Sequence, residues 1–163
     1  MMITEDNYRS TPAMEWTGRT DGSEPGQLRW HQVIKITDLL HTPLPPLLPR
    51  QKGIAFLGFA CDEGVRRNKG RTGAAEGPAA LRKAMAGFPV HFNAQTILLD
   101  AGDILCPGGD LENAQLVLSE AVKAILTAGY LPLLLGGGHE ITYGHARGIR
   151  EFAQGQKTGF INF

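Results

Sequence analysis

The sequence is short of cysteine and has no charge imbalance, and each shortage narrows what the chain can be. Two cysteines, Cys61 and Cys106, are too few for a disulfide framework in 163 residues. The core must come from packing, and a reduced, cytoplasmic setting is the expected one. Sixteen basic side chains against sixteen acidic ones leave a formal net charge of +0. That removes the electrostatic pull toward nucleic acid or an anionic membrane, so neither is expected as a partner. No apolar run approaches the ~20 residues of a membrane helix. The first residues hold no apolar stretch of the kind that forms a secretory signal. Internal repeats and low-complexity tracts are absent too. What remains is 42% apolar and 20% charged, the balance of a globular chain long enough to bury one core.

Glycine and proline, by contrast, are plentiful, at 21 and 10 residues, and they divide the chain. Residues 1–50 are polar at first and then proline-rich at Pro43, Pro45, Pro46 and Pro49. That proline density excludes a long helix or a central strand. This stretch reads as an N-terminal arm with Trp16 and Trp30 as anchors. Its first ~12 residues either pack with the arm or fray, as free termini do. Residues 51–163 alternate regularly. Apolar runs at Ile54–Phe59, Thr96–Asp100 and Leu131–Leu135 predict buried strands, and Thr158–Phe163 begins a fourth. Helices are predicted from Ala79 to Ala86 behind Pro78, over Leu111–Ile125 with Asp110 as N-cap and Gly129 as terminator, and over Ile141–Phe152. The alternation predicts an α/β fold in three α/β/α layers around a parallel sheet.

The richest motif is Gly136-Gly137-Gly138-His139-Glu140, between the third strand and the helix after it. The carboxyl end of such a strand is where open α/β sheets bind ligands. Known chemistries can be tested against it. Ile141 stands where a dinucleotide fingerprint needs its third glycine, and Gly-Lys-Ser/Thr is missing, so neither nucleotide loop is present. His139 and His145 lie six residues apart, about 120° apart around a helix, and do not share a face as a zinc-protease pair must. A nucleophile elbow is also missing. A metal-ligand role for His139 remains, because a neutral imidazole on an uncrowded turn can bind a divalent ion.

A second loop, Asp62 to Pro78, follows the first strand and should lie on the same sheet edge. It holds Arg66, Arg67, Lys69 and Arg71 among glycines. It is either a solvated basic loop or a carboxylate-recognition site at the mouth of a cleft, for which arginine geometry is suited. Cys61 and Cys106 read as buried thiols without chemistry, Asp103 as structural, and His145 and Tyr143 as packing or surface residues.

The segments Gly58-Phe59-Ala60-Cys61-Asp62-Glu63-Gly64-Val65-Arg66-Arg67-Asn68-Lys69-Gly70-Arg71-Thr72-Gly73-Ala74-Ala75-Glu76-Gly77-Pro78 and Leu133-Leu134-Leu135-Gly136-Gly137-Gly138-His139-Glu140 together resemble the ureohydrolase family, the arginase and agmatinase fold, over roughly residues 53–163. Most of that family carries Gly-Gly-Asp-His-Ser at the second segment. Gly-Gly-Gly-His-Glu, with Trp16-Thr17-Gly18-Arg19 and Arg29-Trp30-His31-Gln32 upstream, resembles the formimidoylglutamase branch instead. The resemblance implies an arginase-like fold present as its N-terminal half. It also implies two manganese ions per intact subunit, with His139 as one ligand. The implied activity is hydrolysis of N-formimidoyl-L-glutamate to L-glutamate and formamide, in histidine degradation, by an enzyme that is a homo-oligomer when intact.

The family's further ligands, in Asp-Ala-His-x-Asp and a later Asp-x-Asp, would follow Phe163, where this sequence stops, and the catalytic residues are expected there. The 163-residue chain is therefore expected to be inactive alone, with an unpaired strand edge that makes it poorly soluble or oligomeric. Arg71 and Asn68 either hold the substrate's carboxylates or only order their loop. Glu140 either orients a metal ligand or is an acid at a helix start. An agmatinase or arginase activity, or a non-catalytic remnant, are the competing readings.

Overall fold

Short apolar runs separated by glycine turns fold into one sheet between two helical layers. The computed structural model describes residues 3–161. In chain order the elements are β1 (Tyr8–Arg9), α1 (Trp30–Val33), β2 (Lys35–Ile36), β3 (Lys52–Ala60), α2 (Glu63–Arg67), α3 (Gly77–Met85), β4 (Thr96–Leu105), α4 (Leu111–Thr127), β5 (Tyr130–Leu135) and α5 (Ile141–Ala153). The sheet runs β1-β4-β3-β5, with β2 also on β4. β3 pairs in parallel with both β4 and β5, and only the two-residue β1 is antiparallel. Among the described residues no helix is long and apolar enough to cross a membrane.

The expected three α/β/α layers follow from how β3 is buried. It is covered on both faces, so its apolar residues need not alternate with polar ones. Ala55, Leu57 and Phe59 meet Val117, Leu118, Ala121, Val122 and Ile125 of α4 in one core cluster. Phe56 joins Leu98 and Leu135 in a second cluster, against Trp30, Ile34 and Met85. Burial of each large α4 side chain contributes about 1.5–3 kcal/mol, so packing rather than intrinsic propensity holds that helix. Its ends are as read: the Asp110 carboxylate accepts from Asn113 N at 3.1 Å, and Gly129 turns out of it at φ +86°.

Three sequence expectations need correction. The loop between β3 and α3 contains a short helix, α2, and a 3-10 turn over Ala74–Glu76. The fourth strand is not formed over residues 158–161, and Asn162 and Phe163 lie outside the described residues. Residues 158–161 are exposed and, among the described residues, pair with no strand, and a parallel strand obtains its ladder only from a partner. The outer edge of β5 likewise pairs with no strand among the described residues. Finally, β4 does not stop at Asp100 but runs on to Leu105.

That extension changes the core. Phe56 pairs with Asp100 but Gly58 pairs with Asp103, so β4 holds one residue more than β3 at this point. Gly102 sits in the bulge at φ +80°, a conformation that glycine adopts without strain. Side chains three apart on a strand normally face opposite ways; the extra residue puts Asp100 and Asp103 on the same face. Arg82 of α3 lies there, fully buried. Its Nε donates to Asp100 Oδ2 at 2.7 Å, and Nη1 donates to Asp103 Oδ1 at 2.6 Å and Glu15 Oε2 at 3.0 Å. Burial works against the charge on Arg82, but Asp100 and Asp103 outweigh it and raise its pKa above the ordinary value.

The same carboxylates hold the N-terminal residues. Asp100 accepts from Thr11 Oγ1 at 2.7 Å and Trp16 Nε1 at 2.6 Å, and Asp103 accepts from Arg9 Nη2 at 2.6 Å. β1 adds its ladder to Asp103 and Ile104. The Tyr8 hydroxyl accepts from Leu39 N at 2.9 Å. No buried side-chain nitrogen or oxygen among the described residues lacks a partner.

Replacing Arg82 with Met leaves the buried Asp100 carboxylate without its cation and Asp103 with Arg9 alone. Breaking a buried ion pair from one side costs about 3–5 kcal/mol. Denaturant unfolding followed by Trp16 fluorescence should show a loss of that order, and a loss below about 1 kcal/mol would contradict the role given to the cluster.

Candidate functional site

β3 and β5 are adjacent, parallel and in register up to Gly58 opposite Leu135. The chain leaving each strand therefore emerges at the same sheet edge. The turn after β5 is fastened to the end of β3, because Gly138 N donates to Cys61 O at 2.9 Å. The turn passes so close that a Cβ on Gly137 would lie 2.2 Å from Cys61 O and 2.4 Å from Phe59 O. Those are backbone atoms that cannot step aside, which is why a residue without a side chain stands there.

Between the two turns lies an open cleft of about 740 Å³. Val65, Asn68 and Gly70 line one wall; His139, Thr142 and Tyr143 line the other. His139 is exposed at the start of α5, and among the described residues its side chain makes no hydrogen bond or ion pair. Glu140 lines the same cleft but is bonded across it. Its Oε1 accepts from Gly64 N at 2.9 Å, and its backbone oxygen accepts from Gln115 Nε2 at 2.9 Å. The carboxylate thus spans from the α5 turn to α2 and does not cap its own helix.

The four cations of the basic loop separate into two pairs. Arg66 forks onto Glu63 with two 2.6 Å bonds. Arg67 donates to Glu63 at 2.9 Å and to Glu112, at the start of α4, at 2.6 Å. Arg66 and then Arg67 hold the Glu63 carboxyl down to about 2. These two arginines are spent on structure. Lys69 and Arg71 are exposed and, among the described residues, make no ion pair. Asn68 and His139 are brought to one cleft. Arg71 lies on the same loop but does not line it. The loop is closed by Asp62 Oδ2, which accepts from Gly73 N at 2.6 Å.

Other side chains take places that the sequence left open. Tyr143, in the first turn of α5, stands on the cleft wall beside His139 and is 60% exposed. Asp103 is structural, through Arg82. Cys61 is buried but Cys106 only half so. Burial, and then the neighbouring Cys61 thiol, push the Cys106 thiol up to about 12, so it is uncharged near neutral pH. Burial also lowers the pKa of His145, which favours a neutral ring.

The donor set decides what metal these residues could hold. Manganese sites are built from about six donors, chiefly oxygens. Among the described residues no three His, Cys, Asp or Glu side chains converge as a metal cage would need. His139 offers one imidazole, so these residues do not by themselves fit a two-ion centre.

Comparison with known proteins agrees with this architecture. The model of the arginase family matches residues 52–163. The formimidoylglutamase of Geobacillus thermodenitrificans is 44% identical over 157 residues, which cover 95% of this chain and 48% of that protein. The formimidoylglutamase of Chromobacterium violaceum is 48% identical over 149 residues, 91% of this chain and 45% of that one. The chain thus spans about half the length of the curated relatives it matches. Among solved structures, Trypanosoma cruzi formiminoglutamase, oxidized and with manganese at pH 6.0, has a TM-score of 0.53 at 30% identity, covering 66% of this chain and 42% of that one. An arginase superfamily protein from the same organism has a TM-score of 0.54 at 31% identity, covering 66% and 40%. With the family's motifs in place on adjacent strand ends and its model matched from β3 onward, the chain belongs to the arginase family.

Proposed function

We propose that the protein carrying these residues hydrolyses N-formimidoyl-L-glutamate to L-glutamate and formamide with two manganese ions per subunit. The observation that carries this reading is the exposed His139 imidazole, without a hydrogen bond or ion pair among the described residues, on the wall of a cleft whose opposite wall carries Asn68. The identity to formimidoylglutamases and the manganese in one solved neighbour support it. In this reading His139 supplies one metal donor. The other donors, and the catalytic residues, come from the length of the relatives that this chain does not span.

The remaining roles follow from placement. The substrate is a small dicarboxylate, and carboxylates are bound by charge-assisted and amide donors. Asn68 offers an amide inside the cleft. Arg71, exposed and without an ion pair among the described residues, can swing toward the mouth on its long side chain. Residues 1–50 act as an arm on the α/β half formed by residues 51–163. The enzyme is a cytoplasmic homo-oligomer with no nucleic-acid or membrane partner.

A substrate panel tests the activity in protein carrying this sequence at the relatives' full length. Formamide should be released from N-formimidoyl-L-glutamate, with little urea from arginine or agmatine; preferential urea release would give the arginase or agmatinase reading. Loss of a charge-assisted bond costs about 1.5–3 kcal/mol. Arg71→Ala should accordingly raise KM about tenfold or more while changing kcat less, and an unchanged KM would remove the residue from substrate binding. His139→Ala should weaken manganese binding, measured by calorimetry, by at least about tenfold, since even the outer partners of metal ligands are worth that much. Unaltered manganese affinity would remove His139 from the ligand set.

A further inference from the structure

Gly138 and Glu140 share the space of one side chain. A Cβ on Gly138 would lie 1.9 Å from Glu140 Oε2 and 2.5 Å from its Cδ. Across the cleft floor, a Cβ on Gly64 would lie 2.8 Å from the same Cδ. The carboxylate is therefore seated between two glycines, one from each wall, while its Oε1 accepts the Gly64 N–H at 2.9 Å. Gly64 lies in the first turn of α2, where amides have no partner inside the helix. Asp62, at the N-cap position of α2, makes no side-chain capping bond. Its carboxylate instead accepts from Gly73 N. Glu140 supplies the missing acceptor from a different element.

We propose that Glu140 is a positioning residue. It clamps the α2 segment that carries Asn68 to the turn that carries His139, and residue 138 is glycine so that the clamp can close. The consequence for substrate rests on the reading of the cleft given above; the clamp itself does not. The two neighbouring glycines differ in kind. At Gly137 the obstructing atoms are backbone carbonyls, so a side chain there would distort the turn. At Gly138 the obstruction is the free end of a flexible side chain, so a methyl group evicts the carboxylate and leaves the backbone in place. Gly138 is not among the glycines with positive φ, so alanine fits its backbone. Gly138→Ala and Glu140→Ser then remove the same hydrogen bond by different routes. A serine hydroxyl is too short to reach Gly64, whereas the glutamine amide oxygen can replace the carboxylate as acceptor.

Effects that act through one bond do not add, and this gives the test. Hydrogen exchange of the Gly64 amide is measured in Gly138→Ala, Glu140→Ser, the double variant and Glu140→Gln, with β3 amides as the control for an intact fold. Each of the first two should speed Gly64 exchange at least tenfold without changing β3. The double variant should be no faster than the faster single, and Glu140→Gln should stay slow. At the relatives' full length, both single variants should raise KM for N-formimidoyl-L-glutamate more than they lower kcat. Unaltered Gly64 exchange in Glu140→Ser overturns the clamp. So does a further acceleration by Gly138→Ala when Ser already stands at 140. Faster Gly64 exchange with an unchanged KM keeps the clamp and overturns the reading of the cleft as the substrate site.

Discussion

The fold depends on the buried pairing of Arg82 with Asp100 and Asp103. Removing an unpaired charge from water costs several kcal/mol per ion, so the burial of these groups rests on their pairing with one another and on the bonds from Glu15, Arg9, Thr11 and Trp16. The bulge at Gly102 is what lets two aspartates of one strand face the same cation. Through Arg82 the cluster fixes α3 on the sheet; through Thr11, Trp16 and Arg9 it fixes the N-terminal residues on the same face. Hydrophobic contact could hold these pieces together, but it is non-directional. The forked bonds of a guanidinium impose one arrangement.

The cleft is a consequence of that frame. Parallel pairing of β3 with β5 places the ends of both strands at one edge, and two bonds then join the turns that follow: Gly138 N to Cys61 O, and Gly64 N to Glu140. The charges are sorted in the same step. Arg66 and Arg67 neutralise Glu63, and Arg67 braces α2 against α4 through Glu112. Lys69 and Arg71 stay exposed on the same loop, beyond the residues that line the cleft. Four cations that look equivalent in the sequence thus divide into two that bond to acids and two that make no ion pair among the described residues.

Much of this was legible in the sequence where one local rule dominates. Continuous apolar runs located β3 and β5, helical spacing with Asp110 and Gly129 delimited α4, and the strand-turn-helix context singled out His139. Legibility failed where a residue's role depends on distant partners. Asp100 ended the apparent second strand because a buried acid breaks an apolar pattern, and its burial rests on distant partners, Arg82, Thr11 and Trp16. β1 is two residues long and has no pattern of its own. Thr158 to Phe163 has a strand's composition, yet residues 158–161 pair with no strand among the described residues. Glu140 looked like either an outer support for a metal ligand or an acid at a helix start; its bond crosses to an amide 76 residues away.

By itself the sequence determined the alternation of strands and helices, the turns that glycine must make, and the family motifs, because each is set by neighbours within a few positions along the chain. Only the tertiary structure decided which cations are free, which acids are buried, and that the His139 turn and the Asn68 loop are held to each other. Those outcomes depend on side chains from separate elements meeting in space, and hydrogen bonds and ion pairs at about 3 Å admit no substitute for that meeting.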